Sequence, residues 1–161
     1  MTREVLTVEL RPVESADLDR FFEHQQDPEA NLMAAFTAKN PADRGVFDHH
    51  WGLILRDPDI TVRTIEHEGK VVGSVLVYPN EGFPEISFWT DKAYWGQGIT
   101  TSAVDAFLRE ITQRPIRARV VTDNIGSQKV LERRGFNVVG EAEGFANARA
   151  AVVKEYIMEL A

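Results

Sequence analysis

The sequence predicts an α/β fold in which helices pack against a mixed β-sheet. The first half of the chain has the pattern of one strand, two helices and three strands, and the second half alternates helix, strand and helix before two final strands. Antiparallel strands followed by βαβα alternation are typical of a mixed sheet. With 161 residues, 43% of them hydrophobic, and no internal repeat or Pro/Gly/Ser-rich linker, we expect a single domain over residues 1–161.

The chain opens with a predicted strand and a helix. Apolar and polar residues alternate over residues 5–11, which is the period of a half-buried strand, and Pro12 ends the run. Ser15 stands where an N-cap is expected. The helix behind it carries a predicted apolar face of Leu18, Phe21 and Phe22.

A second helix is predicted to start at Asn40 and Pro41, because asparagine is a good cap and proline suits the first helical position. Asp43 then falls in the first turn, where a negative charge is favourable for the helix dipole. The predicted buried stripe of this helix is Phe47, Trp51, Ile54 and Leu55.

Three strands follow the helices. Residues 60–67 and 71–78 flank the turn residues Glu68 and Gly69, which predicts a hairpin. A further short strand is predicted over residues 85–90.

The second half of the chain alternates helices and strands. Asn124 is a predicted N-cap, and Gly135 is a predicted left-handed C-cap of the same helix. The expected elements are a helix over 100–112, a strand over 116–121, a helix over 124–134 and two strands over 138–140 and 152–160.

Composition excludes several classes of function. A net charge of −7, from 25 acidic and 18 basic residues, disfavours nucleic acid and weakly favours a cationic acceptor such as an amine. The absence of cysteine excludes disulfides, thiolate zinc sites and a cysteine nucleophile. The adjacent His49 and His50 point to different faces of a helix, so no metal is expected. No apolar run has the length of a membrane span or signal peptide, so we expect a cytoplasmic protein without a membrane partner.

The loop from Tyr94 to Thr101 is the most informative segment. Its glycines, Gly96 and Gly98, permit a close approach of backbone to a ligand. The helix behind presents unpaired N–H groups and the positive end of its dipole, which together suit a phosphate or pyrophosphate. A tight turn that binds nothing is the alternative interpretation.

A second segment, from Asp123 to Phe136, has on its own the pattern of a strand end followed by a capped helix. Together, in this order and spacing, the two segments resemble the GNAT superfamily of acyl-CoA-dependent N-acyltransferases and its RimJ/RimL-like branch. Trp95 and Thr100 depart from the general pattern, which has Gln or Arg and Gly or Ala at these positions. The residues that carry the resemblance are Glu85-Ile86-Ser87-Phe88-Trp89, Trp95-Gly96-Gln97-Gly98-Ile99, Asn124-x-x-Ser127 and Val130-Leu131-Glu132-x-x-Gly135-Phe136.

The resemblance implies a GNAT fold, whose mixed, mostly antiparallel sheet is flanked by helices and splays between its fourth and fifth strands. It implies acetyl-CoA as acyl donor, with the pyrophosphate on the backbone of residues 97–101, the pantetheine arm in the splayed gap, and Ser127 near the thioester sulfur. The implied acetyl-CoA site consists of Trp89, Thr90, Trp95, Gly96, Gln97, Gly98, Ile99, Thr100, Thr101, Asn124 and Ser127.

The implied activity is N-acetyl transfer by direct attack of a primary amine, from either a small molecule or a protein N-terminus or lysine. Glu85 is the expected proton acceptor and Ser127 the expected donor to the leaving sulfur. Alternatively, Glu85 is a solvated strand residue and Ser127 an ordinary first-turn serine. A non-catalytic acyl-CoA-binding or regulatory domain is the alternative from another class.

The resemblance also places the acceptor beside the first two helices and the connection over residues 144–149. His50 is expected either to line this acceptor pocket or to lie at the boundary of the core, and we expect either a monomer or a homodimer. Four aromatic residues either form an apolar wall of the pocket or belong to the core: Phe21, Trp51, Trp89 and Phe145.

Overall fold

A computed structural model describes residues 7–161, and its seven strands form one sheet in the order β1-β2-β3-β4-β5-β7-β6. A short 3₁₀ turn, Lys92–Tyr94, precedes the glycine loop. In chain order the elements are β1 (Val8–Arg11), α1 (Asp17–Gln25), α2 (Pro28–Ala34), α3 (Arg44–Arg56), β2 (Thr61–His67), β3 (Lys70–Asn80), β4 (Phe83–Thr90), α4 (Ile99–Glu110), β5 (Ile116–Val121), α5 (Ile125–Arg133), β6 (Asn137–Ala146) and β7 (Ala151–Leu160).

The sheet is splayed between β4 and β5. Strands β1 to β4 pair antiparallel with their neighbours, as do β5 with β7 and β7 with β6. The parallel pairing of β4 with β5 is confined to Glu85 opposite Arg117. Beyond this position β4 and β5 do not pair with each other, so a gap opens between them toward their carboxyl ends. This confirms the predicted mixed sheet and its splay.

The helices cover the two faces of the sheet. Side chains of a strand alternate between faces, so Val75 and Val77 of β3 point away from Leu76. Val75 and Val77 pack with α4 and α5 in the main core, whereas Leu76 packs with α1 and α3 on the other face. The α1–α3 side is built around Phe21 and Trp51, whose rings lie 4.9 Å apart.

Two predicted turns are confirmed. Glu68 and Gly69 both have positive φ, 51° and 77°, as the tight hairpin between β2 and β3 requires. Gly135 has φ of 96° and ends α5 in the left-handed conformation.

The predicted helix starts in the first half are wrong. Ser15 is not a side-chain cap: α1 begins at Asp17 and its N-cap position is Ala16. Asp43, rather than Asn40, caps α3 by accepting the backbone N–H of Val46, and α3 therefore begins at Arg44.

The side chain of Asn40 instead closes a local turn by accepting the N–H of Ala42. Leu55, predicted in the buried stripe of α3, is 44% exposed.

The helix α2 was not predicted, although Asp27 caps it and Pro28 occupies its first turn. At the other end of the chain, β6 extends to Ala146 instead of ending at Gly140, so the β6–β7 connection shrinks to residues 147–150. Strand β6 forms the edge of the sheet and is largely exposed, and its more buried face carries only the small residues Gly140, Ala142, Gly144 and Ala146. The part of the first predicted strand before residue 7 lies outside the described residues.

Candidate active site

Three adjoining cavities meet where β4 and β5 diverge. The loop cavity, about 580 Å³, lies against the glycine loop and the start of α5. The strand cavity, about 370 Å³, lies between β4, β5 and β7. The helix cavity, about 460 Å³, lies between α1, α3 and the sheet. Phe88 and Trp89 line all three, and Asn124 and Ser127 line both the loop and strand cavities.

The glycine loop has the backbone conformation that only glycine adopts readily. Gly96 and Gly98 have φ of 76° and 82°. Gly98 is also the N-cap residue of α4, and no side chain of residues 7–161 caps this helix. The first N–H groups of α4 therefore point out of the helix without a capping partner, as a bound anion requires.

The residues predicted to hold acetyl-CoA lie together. With one exception they all line the loop cavity. The exception is Gln97, whose side chain is exposed and donates a hydrogen bond to the carbonyl of Ala93 at 3.3 Å. Asn124 caps α5 by accepting the N–H of Ser127 at 3.2 Å, so its predicted cap role is confirmed.

The two positions at which the sequence departs from the family pattern both contact Thr90, the last residue of β4. The indole Nε1 of Trp95 donates to the Thr90 carbonyl at 2.9 Å. The hydroxyl of Thr100 lies 2.7 Å from the hydroxyl of Thr90. Both side chains therefore brace the glycine loop against the end of β4.

The chemistry of the loop cavity fits a long anionic ligand. Lys129 and Arg133, one turn apart on α5, line it and were not predicted. Its two acidic residues are engaged elsewhere: Glu29 pairs with Lys92 at 2.5 Å, and Asp123 pairs with Arg149 at 2.7 Å.

The indole Nε1 of Trp89 is a buried donor that has no hydrogen-bond partner within residues 7–161. Buried polar atoms are nearly always paired, so this donor at the junction of the cavities also suits a ligand.

Glu85 is buried in the strand cavity, with an exposed fraction of 5%. Its Oε2 accepts a hydrogen bond from the hydroxyl of Tyr78, and its Oε1 accepts from Asn80 and from Arg119 Nε, each at 3.2 Å. Burial, together with the Glu85 carboxylate, raises the pKa of Tyr78, so the phenol remains a donor. The interpretation of Glu85 as a solvated strand residue is therefore wrong.

Arg119 joins Glu85 to two further carboxylates that sequence reasoning missed. Its guanidinium lies 2.7 Å from Glu81, 3.2 Å from Glu85 and 3.6 Å from Glu155. Burial raises the pKa of Glu155. The alternation of Arg117 and Arg119 along the predicted strand signals a charged face, but nothing local signals its partners.

The helix cavity contains most of the expected acceptor wall. Phe21, Trp51 and Trp89 line it, as does His50. The expected fourth wall residue, Phe145, lies on the edge strand β6 and is 62% exposed, so it does not complete this wall.

His24, which was not predicted, also lines the helix cavity. Burial lowers its pKa, and its Nδ1 has no hydrogen-bond partner in the described part of the chain. Over residues 7–161 we find no cluster of three or more metal-ligating side chains. The same residues include no helix of the length and apolarity needed to cross a membrane.

Comparison with known proteins agrees with this geometry. Residues 7–137 match the model of the acetyltransferase (GNAT) domain family. The probable N-acetyltransferase YjcK of Bacillus subtilis (strain 168) is 31% identical over 99 residues, which are 59% of this chain. The match spans about half of that relative's length, 51%.

Two solved structures share the fold. Mycobacterium smegmatis RimJ, in complex with CoA-disulfide, superposes with a TM-score of 0.78 at 20% identity, over 95% of this chain and 81% of that one. Spermidine N-acetyltransferase from Vibrio cholerae, in complex with CoA and spermine, gives a TM-score of 0.77 at 14% identity, over 95% of this chain and 94% of that one.

Proposed function

The chain belongs to the GNAT acetyltransferase family, and on that premise we propose that it moves an acetyl group from acetyl-CoA to a primary amine by direct attack. One observation carries the proposal. The loop cavity, with its glycine loop and helix N-terminus, adjoins the strand cavity, and Asn124 and Ser127 line both. A site suited to a pyrophosphate is therefore next to a cavity lined by the buried Glu85 and the half-buried Glu155.

For the donor side, we assign the CoA pyrophosphate to the N–H groups of residues 97–101 and the pantetheine arm to the gap beside Trp89 and Asn124. The positive charges of Lys129 and Arg133 suit the remaining phosphate. Bound acetyl-CoA supplies an acetyl carbon activated as a thioester. The indole N–H of Trp89, which has no partner in the described part of the chain, is proposed as a donor to the arm or to the acyl group.

For the acceptor side, we assign proton removal to the carboxylate cluster that contains Glu85. An amine arrives at neutral pH as an ammonium and becomes a nucleophile only after it loses a proton. Three carboxylates face one guanidinium in this cluster, so an approaching cation is favoured. Ser127 lines the same cavity and is the proposed donor to the leaving sulfur.

The acceptor is proposed to enter through the strand and helix cavities, which share Ser87, Phe88 and Trp89. Together they offer one polar and one aromatic compartment. Either a small amine or the end of a peptide chain is compatible with this arrangement, and the chain alone is proposed to supply the site as one domain.

The test is a panel of amines assayed for CoA release with a thiol reagent. The panel contains polyamines, amino acids and their amides, aminoglycosides and short peptides with free N-termini or lysines. We expect acetyl-CoA turnover that depends on at least one amine, with acetylated product identified by mass spectrometry. Acetyl-CoA binding without turnover on any amine would favour the non-catalytic alternative.

A further inference from the structure

The buried Glu85 and the half-buried Glu155 of the strand cavity both reach the Arg119 guanidinium, but their backbones lie at different levels of the splayed gap. Glu85 is opposite Arg117, near the start of β5, whereas Glu155 is opposite Val121, its last residue. The offset of four residues, from 117 to 121, corresponds to about 13 Å along a strand at about 3.3 Å per residue. Glu155 is therefore at the end of β5 that leads directly into Asn124 and the cofactor side.

The pairing of β5 with β7 fixes the position of the Glu155 backbone relative to the start of α5. Thr122, next in the chain, donates its backbone N–H to the carbonyl of Lys154 at 3.1 Å, so the backbone beside Glu155 is tied to the start of the β5–α5 turn. Ser127, in the first turn of α5, lines the same cavity as Glu155. Of the two carboxylates, Glu155 has its backbone at the level where the cofactor arm is proposed to end.

The hydrogen bonds also distinguish the two carboxylates. Both oxygens of Glu85 are engaged, with two donors on Oε1 and the Tyr78 hydroxyl on Oε2. The nearest cationic atom to the Glu155 carboxylate within residues 7–161 is Arg119 Nη1 at 3.6 Å, which is beyond hydrogen-bond length. Because no closer donor of the described residues occupies its oxygens, this carboxylate is able to accept a proton. The Glu155 side chain is nonetheless largely buried, with 14% exposed.

The titratable groups that face Glu155 come from the neighbouring strands. They are Arg119 of β5, Glu85 of β4 and, beyond it, Tyr78 of β3, whereas its ladder partner on β6 is Ala142. Burial and the Glu85 charge raise the pKa of Glu155 and outweigh Arg119. A carboxylate whose pKa is moved toward the working pH is a stronger base.

We infer that Glu155 is the catalytic residue that receives the proton of the acceptor ammonium, while Glu85 is a positioning residue that holds Tyr78, Asn80 and Arg119. The inference rests on the proposed acetyl transfer. It differs from the sequence-based expectation, in which Glu85 itself was the base.

One proton of the ammonium moves to Glu155, and the nitrogen lone pair forms the C–N bond to the acetyl carbon. The C–S bond breaks, and its electron pair leaves on sulfur. A second nitrogen proton is lost as the amide forms, and the sulfur takes up one proton with Ser127 as donor and solvent as the final source. Glu155 then returns its proton to solvent.

The experiment compares Glu155→Gln, Glu85→Gln and a matched control, Glu159→Gln, on the best amine of the panel. Glu159 lies on the same strand and pairs with Arg117 at 3.0 Å, and it does not line the strand cavity. We expect Glu155→Gln to lower kcat by about 10²- to 10⁴-fold at neutral pH. The loss should shrink as pH approaches the pKa of the amine, because the acceptor then arrives deprotonated. Acetyl-CoA affinity, measured by calorimetry, should not change.

Two further measurements separate proton transfer from structural damage. Glu155→Asp should keep the pH dependence with a smaller loss, and formate should partly restore Glu155→Ala but not Glu85→Ala. A kcat of Glu155→Gln within about threefold of the parent at every pH would overturn the inference and leave acetyl transfer intact. A loss that is constant with pH would also overturn it. If the wild-type protein acetylates no amine of the panel, this result would instead contradict the proposed function. The proposed role of Glu155 would then be contradicted as well.

Discussion

The hydroxyl of Thr100, at the start of α4, lies 2.7 Å from the hydroxyl of Thr90, at the end of β4. Thr90 is buried and its carbonyl also accepts the indole N–H of Trp95. The end of β4 and the glycine loop are therefore held together by two side chains at positions where the family pattern has other residues.

Replacing this hydroxyl tests whether the contact braces the loop. Thr100→Val keeps the shape of the side chain but leaves the buried Thr90 hydroxyl without its partner, which costs about 1 kcal/mol. For a domain of this size we expect a fall in melting temperature of about 2–4 °C. Thr101→Val is the control, since the hydroxyl of Thr90 is paired with that of Thr100 and the neighbouring residue Thr101 belongs to the same helix turn. Equal melting temperatures for the two variants would contradict the bracing role.

Gly98→Val tests the glycine loop as an anion site. Gly98 has φ of 82°, so valine there is strained by about 1–3 kcal/mol and its branched side chain obstructs approach to the first N–H groups of α4. We expect acetyl-CoA affinity to fall at least tenfold by calorimetry.

The matched control is Gly69→Val, because Gly69 also has positive φ, 77°, in the remote β2–β3 hairpin, with open space where its Cβ would lie. This variant should be destabilised to a similar degree but bind acetyl-CoA normally. Normal binding by Gly98→Val would show that the loop is only a turn.

Glu85→Gln tests the positioning role. Glutamine keeps an acceptor oxygen for Tyr78 but loses the charge that attracts Arg119. The Arg119 side chain should therefore be held less firmly in the strand cavity. We expect a lower kcat by a factor that stays constant across pH, unlike the pH-dependent loss in Glu155→Gln. A pH–rate profile decides, and a loss that disappears at high pH would return the base role to Glu85.

Asp17→Asn tests the anchor between β1, α1 and β2. The Asp17 carboxylate is buried and accepts hydrogen bonds from Arg11 at 2.7 and 2.8 Å, from Thr64 at 2.8 Å and from the N–H of Glu14 at 2.8 Å. Breaking a buried ion pair by removing one partner costs about 3–5 kcal/mol. We expect the free energy of unfolding to fall by an amount near the lower end of this range, since the Arg11 side chain is one quarter exposed.

The same carboxylate predicts a pH dependence of stability. Burial alone would raise the pKa of Asp17, but the hydrogen bonds from Arg11, Glu14 and Thr64 outweigh it and hold the pKa below its usual 3.8. The carboxylate therefore stabilises the fold above pH 3.8, and this contribution is lost as pH falls below that value. Chemical denaturation between pH 2 and 7 should show a shallower acid loss for Asp17→Asn than for the parent. Asp19→Asn is the matched control, since it also removes one carboxylate from α1, at a side chain that is 68% exposed.

Local signals account for what the sequence predicted well. The Glu68-Gly69 turn, the Asn124 cap and the Gly135 C-cap depend on residues close in the chain, and so does the glycine loop. Local signals also explain the errors at helix starts, because Asp27-Pro28 and Asn40-Pro41 have equivalent patterns and only the first begins a helix.

The carboxylate cluster was beyond local reasoning. Glu85 and Arg119 are 34 residues apart, and they meet only because β4 and β5 pair at one position. Glu155 joins them through the antiparallel pairing of β5 with β7, which no spacing along the chain indicates. The long edge strand β6 was missed for a different reason: its more buried face consists of Gly140, Ala142, Gly144 and Ala146, which are too small to give a clear apolar alternation.

A crystal structure of the protein with CoA is the most direct test of the account as a whole. We predict the pyrophosphate against the backbone N–H groups of residues 97–101, the pantetheine arm beside Trp89 and Asn124, and the thiol at Ser127, facing Glu155. CoA bound outside the loop cavity, or a thiol directed away from the strand cavity, would contradict the proposed active site.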